Sequence, residues 1–234
     1  MQRNIVDQDY DVIYCEADTC TNLKTSVQSD MFVFNHPEAD TMLFAAYAKL
    51  RSDNYTGAVV IDSADIDVYV QAAFVAHQVK GNLFIKRKRE LIDCKRMTTK
   101  ELSNIIIPLH VISGNDHTSA FYGHGKKIVF QRALECNGQR LLKNVGSSLE
   151  LSEKVKKEME RFVFTIIYRE DEDSTCRQAR ASMWQKLKHK SMLRLPPDED
   201  SLHLHLQRTN YITFCQKNII CFFTPHRLDM DGKP

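Results

Sequence analysis

The sequence predicts an α/β fold: a mostly parallel sheet with helices on both faces, followed by an α-helical C-terminal region. Two patterns carry this prediction. Strand-like and helix-like apolar spacings alternate through residues 1–145. From 146 to 234 only helical spacings recur, separated by an acidic link at 169–175 and a proline-containing one at 194–200. A hydrophobic share of 43% in 234 residues is enough apolar material for a core.

Taken in order, residues 11–15 (DVIYC) and 31–34 (MFVF) read as short strands. Residues 35–54 read as a helix. Pro37 suits the first helical position, where no N–H is needed. Ala39, Met42, Leu43, Ala46, Tyr47 and Leu50 recur at helical spacing and form the expected apolar face. Gly57 breaks that pattern. The short β-branched run 58–61 then reads as a strand of the kind buried in a parallel sheet. From Asp65 the helical stripe resumes with Val68, Ala72, Val75, Ala76 and Val79, and Gly81 closes it. Residues 82–94 read as two strands joined by a charged turn. Thr98 or Thr99 can cap the helix that follows through Pro108. A loop of small and polar residues, 114–127, leads into a helix over 128–135. Helices over 152–168, 176–190 and 201–217 make the C-terminal region.

Composition narrows the functional classes. The formal net charge is +2, and near-neutrality is compatible with a nucleic-acid partner because a basic face can balance an acidic pocket. No apolar run reaches the roughly 18 residues of a membrane span. The first residues lack the basic-then-apolar pattern of a signal peptide. Seven cysteines at scattered positions read as reduced thiols of a nuclear or cytoplasmic protein. Residues 86–90 (KRKRE) suit either a nuclear-import or nucleic-acid patch or a solvated hairpin tip.

The acids raise the chemical question. Glu38 and Asp40 open one helix, Asp62, Asp65 and Asp67 follow the apolar strand, and Asp116 stands in the loop 114–118. Taken singly, the helix-start acids suit capping, worth a few tenths to about 1 kcal/mol each. Taken together they suit a cation site. Two carboxylates about 4 Å apart repel by roughly 4 kcal/mol at an effective dielectric near about 20. Oxygen-only donors favour Mg²⁺ or Mn²⁺ over zinc. Downstream, Gly123 and Gly125 flank His124 ahead of Lys126 and Lys127. Such a segment permits close backbone approach and supplies charge for phosphates, or it is an ordinary turn before a surface helix. His203 and His205 lack companions at zinc spacing. Ser63 lacks a histidine partner, and Trp184 reads as core of the helical tail.

The ordered set His36-Pro37-Glu38-Ala39-Asp40, Asp65-x-Asp67, Ser113-Gly114-Asn115-Asp116 and Gly123-x-Gly125-Lys126 resembles the core of the flap endonuclease/XPG-type PIN-like nucleases. It is closer still to a group of animal PIN-like proteins, some tied to mobile elements, that share a tail pattern. Here that tail reads Leu195, Pro196, Pro197, Leu202, His205, Arg208 and Tyr211. The resemblance implies a PIN-like three-layer α/β/α core over 1–145, with a glycine hairpin and helix at 117–136, and a helical region over 146–234. It implies that Glu38, Asp40, Asp65, Asp67 and Asp116 hold Mg²⁺ or Mn²⁺, two ions when the site is complete. It further implies that Gly123, Gly125, Lys126 and Lys127 grip a DNA backbone without reading sequence, with a monovalent cation at the hairpin. Flap, branched or single-stranded DNA is the implied substrate; RNA stays an alternative partner. Family members start with a longer N-terminal section, so an N-terminally short chain with an incomplete metal site is expected. The alternatives are a non-catalytic nucleic-acid-binding PIN-like protein and a truncated mobile-element product.

Overall fold

The computed structural model describes the backbone of residues 13–16 and 19–22, and residues 39–172 and 174–220. The expected strand at 31–34, Pro37 and Glu38 lie outside the described residues. Strands β1 (Ile13–Glu16) and β2 (Thr19–Asn22) pair antiparallel, with Cys15 opposite Cys20. The main sheet has the order β3 (Val59–Asp62), β4 (Leu83–Arg87), β5 (Glu90–Asp93). Among the described residues, seven α-helices accompany it, so the molecule is α/β and mostly helical.

The parallel pair is made by β3 and β4, with Val59 opposite Leu83 and Asp62 opposite Lys86. Helix α2 (Ile66–Gln78) is the crossover between them. Strand β5 returns through a two-residue turn, and so short a connection permits only antiparallel pairing. Within the described residues the sheet is therefore mixed, where a mostly parallel one was expected. Its two faces differ. Ile61, Leu83 and Ile85 are buried against α2 and helix α3 (Lys100–Ile112), whereas Val60 and Leu91 are 47% and 60% exposed. The second helical layer over that exposed face is not found among the described residues.

Helix α1 (Ala39–Ser52) has Asp40 in its first turn and Lys49 and Arg51 in its last, matching the helix dipole. Its buried face is Phe44, Ala45, Tyr47 and Ala48, and Leu43 of the expected stripe is exposed. Residues 42–48 are apolar without interruption, so spacing alone does not select a face. Helix α2 is buried nearly all round over Val70–Ala76, as a crossover beneath other helices must be. Thr99 is the α3 cap, accepting from the Leu102 N–H at 3.3 Å, and Pro108 stands inside the helix.

Two apolar clusters meet at α3. Ile107 and Val111 join the sheet, α1 and α2; Ile105, Leu109 and Ile112 join the helical cluster. The latter includes α4 (Lys126–Glu135), α5 (Glu153–Phe162), α6 (Cys176–Lys186) and α7 (Glu199–Asn218), so residues on both sides of 146 share one core. The run expected as α-helix over 152–168 widens into a π-helix at Val163–Tyr168. Trp184 is half-buried and lies on His189, at the margin of the tail's core. No described helix is long and apolar enough to cross a membrane.

Helix α7 is locked onto the loop 145–149 by polar bonds. The Gly146 N–H donates to Asn210 Oδ1 at 2.9 Å, and Asn210 Nδ2 donates to the Ser148 and Leu149 carbonyls at 2.9 and 3.2 Å. Gly146 has φ +70 and lies against the Thr213 and Phe214 backbone, so a Cβ does not fit there. Lys217 donates to the Val145 carbonyl at 2.7 Å, and burial pulls its pKa down to about 8. Asn210→Ala removes three bonds and leaves the buried Gly146 N–H unpaired, while the Ser148 and Leu149 carbonyls, on exposed residues, can turn to water. It should destabilise the protein by about 1–3 kcal/mol in urea melts.

Candidate functional site

The turn from β3 into α2 is held by local bonds. The Asp65 N–H donates to Ser63 Oγ at 3.1 Å, and Asp65 Oδ1 accepts from the Asp67 N–H at 2.9 Å. Asp65 is thus the α2 cap, with an exposed carboxylate. Asp67, one helical step on, faces inward. Its Oδ1 lies 2.7 Å from Nε2 of His110 on α3, and the two side chains are 14% and 3% exposed. Lys126 Nζ, at the start of α4, lies 3.1 Å from His110 Nδ1. A neutral imidazole satisfies both contacts in one tautomer: Nε2–H donates to Asp67, and Nδ1 accepts from the ammonium.

Asp116 is carried by a tight turn. Asn115 Oδ1 accepts from the His117 and Thr118 N–H groups at 3.1 and 3.2 Å, and the Thr118 hydroxyl donates to the Val111 carbonyl. Gly114, at φ +104, lies against the Ala120 backbone, where a side chain has no room. This leaves Asp116 exposed, with its negative charge acting on both Lys126 and His110.

The electrostatics follow from that arrangement. Burial chiefly lowers the His110 pKa, the Lys126 charge lowers it further, and Asp67 and Asp116 oppose both. Burial also lowers Lys126, while the same two acids support its charge. The neighbourhood is therefore a neutral histidine between a carboxylate, Asp67, and an ammonium, Lys126, with the charge of Asp116 acting on both the ring and the ammonium.

Of the acids expected at the site, Asp67 and Asp116 share this neighbourhood, and Asp65 adjoins it through its cap. Asp40 sits half-buried in the first turn of α1, and Glu38 lies outside the described residues. Asp62 pairs instead with Lys86 at 2.7 Å across the parallel register. Gly123 has φ +83, which favours glycine; Gly125 caps α4 at φ −65 with open space beside it. Lys127 is exposed. His205 bonds the Ile112 carbonyl at 3.1 Å and packs edge-on against Phe121, a packing role.

Among the described residues, no three His, Cys, Asp or Glu side chains are grouped to hold a metal. The donor set still suits a hard cation. Mg²⁺ is commonly held by one or two carboxylates, with water and phosphate oxygens completing its shell. Here Asp67 and Asp116 both favour the charged form of Lys126. His110 was missed in the sequence, although a histidine within the apolar run 105–112 was a usable signal. A buried imidazole needs partners on its ring nitrogens. No known family, curated protein or solved structure matches this chain.

His110, His124 and His205 all have pKa values held below their ordinary 6.5, with burial the largest cause in each. The unfolded chain then binds protons that the folded chain refuses, so their contribution is full above about 6.5 and is lost as pH falls through the depressed folded values. Thermal melts should show the midpoint dropping as pH is lowered from 7 to 5. His205→Gln should flatten that dependence relative to wild type.

Proposed function

We propose that the chain is a divalent-metal-dependent phosphodiester hydrolase acting on single-stranded or branched DNA, built on a PIN-like core. One observation carries the reading: Asp67 turns inward to the buried His110 at 2.7 Å, Lys126 meets the same imidazole at 3.1 Å, and Asp116, on the exposed turn after α3, adds its charge to both. A carboxylate that merely capped a helix would have no reason to turn inward to His110.

In this reading Asp67 and Asp116 hold Mg²⁺ or Mn²⁺, with Glu38, Asp40 and Asp65 as the further acids of the set. The cation supplies, when bound, the acidity that ionises a water and the charge that stabilises a leaving oxygen. His110 acts through Asp67. By donating to Oδ1 it fixes the carboxylate rotamer and turns the other oxygen outward. Lys126, 3.1 Å from His110 Nδ1, would meet a phosphate brought to these acids. Lys127 and the open backbone at Gly123 and Gly125 suit contact with phosphates further along the strand. A monovalent cation at that hairpin belongs to the same proposal.

A second reading has its own support. Lys126 already balances the acids, and among the described residues no third ligand stands with them. A protein that binds nucleic acid without cutting it fits those facts.

The test is a cleavage assay on flap, duplex and single-stranded DNA with Mg²⁺ or Mn²⁺. Wild type should cut, and EDTA should stop it. Asp67→Asn and Asp116→Asn should fall to background with unchanged melts, and His110→Ala should lose about 10–100-fold. A double Asp67→Asn, Asp116→Asn variant that cuts at the wild-type rate rules out this assignment. DNA retention without cleavage by wild type selects the second reading.

A further inference from the structure

The β4–β5 turn presents four consecutive basic residues, Lys86, Arg87, Lys88 and Arg89, all exposed. Lys86 is neutralised by Asp62. The other three have no acidic partner among the described residues. Lys88 is held at φ +56, the left-handed conformation that a two-residue hairpin turn demands. This geometry sets Arg87 and Lys88 on one wall of a cleft of about 410 Å³. The opposite wall is the entry to α2, with Ser63, Ile66 and Tyr69, and Asp62, paired to Lys86, also lines the cleft. The volume is within the roughly 300–1,000 Å³ of ligand clefts. The cleft lies at the carboxyl ends of the parallel strands β3 and β4, where open α/β sheets bind their ligands.

The chemistry of the two walls differs. One is cationic. The other pairs an apolar side chain, Ile66, 60% exposed, with the half-buried ring of Tyr69. The Tyr69 hydroxyl is shielded from water and has no hydrogen-bond partner among the described residues. Unpaired cations beside an exposed apolar side chain and a half-buried aromatic ring suit a ligand that alternates phosphates with rings. Single-stranded nucleic acid is that ligand: its backbone tracks cations and its bases stack on side chains. An acidic polypeptide would use the cations alone and leave Ile66 and Tyr69 uncovered.

We propose that this cleft binds single-stranded nucleic acid, with phosphates on Arg87 and Lys88 and a base against Ile66 and Tyr69. The strand then leads to the first turn of α2, where Asp67 lies. That direction rests on the hydrolase reading; the binding does not require it.

The test is fluorescence anisotropy with labelled dT12 and rU12 in EDTA, where no cleavage occurs. Arg87→Gln/Lys88→Asn keeps a residue suited to the left-handed turn position, and its melt checks folding. It should weaken binding severalfold. It should also lower the slope of log affinity against log salt by about 1.4, at about 0.7 per lost phosphate contact. Ile66→Glu should weaken binding as well. The proposal is overturned if wild type binds neither oligonucleotide, or if affinity and slope stay unchanged in the double variant. It is also overturned if polyglutamate of equal charge displaces dT12 as well as unlabelled dT12 does. Unchanged binding alongside Mn²⁺-dependent cleavage by wild type removes the cleft alone. Lost binding in a protein whose wild type never cuts supports the cleft and removes only the hydrolase reading.

Discussion

A buried imidazole with charged neighbours on both sides sets the geometry of the site. His110 is 3% exposed, so each of its ring nitrogens needs a partner or costs about 1–3 kcal/mol. Asp67 at the start of α2 and Lys126 at the start of α4 supply them, at 2.7 and 3.1 Å. The imidazole thus fixes two helix N-termini relative to α3. Because Nε2–H is committed to Asp67, the ring cannot rotate without losing both bonds. The inward turn of Asp67 and the position of Lys126 both follow from that constraint.

Helix α3 can hold such a group because it separates two cores. Its Ile107 and Val111 face the sheet cluster while Ile105, Leu109 and Ile112 face the helical one. A helix packed on both sides excludes water from its middle, which lowers the His110 pKa and keeps the ring neutral. The C-terminal helices therefore bear on the site. Helix α7 supports α3 directly through His205 and the Ile112 carbonyl, and Asn210 ties α7 to the loop 146–149. The site is distant from α7 in sequence and shares a packed wall with it.

Much of the local structure was legible in residue order. Helix starts at Asp65 and Thr99 follow capping chemistry that acts within a few residues. The hairpin over 83–93 follows from two apolar runs flanking a charged turn. Local rules failed where the decision was not local. In α1 an unbroken apolar stretch left the buried face undetermined, and Leu43 is exposed as a result. The π-helix at Val163–Tyr168 has the same hydrophobic composition as an α-helix, and only packing distinguishes them. At the site, acid spacing marked Asp65 and Asp67 equally, since i and i+2 residues carry no label for which one faces inward.

From β3 to α7 the alternation of strands and helices, and the placement of acids near helix starts, came from amino-acid identity alone, because caps, turns and amphipathic spacing are short-range effects; strand β2 at Thr19–Asn22 was not anticipated. Which carboxylate is a cap and which meets His110, that Lys126 meets the same imidazole, and that Asp62 is spent on Lys86 were decided by tertiary structure. These are contacts between residues 16 to 43 positions apart in the chain. Their energies depend on burial and mutual distance, quantities that exist only once the helices have packed.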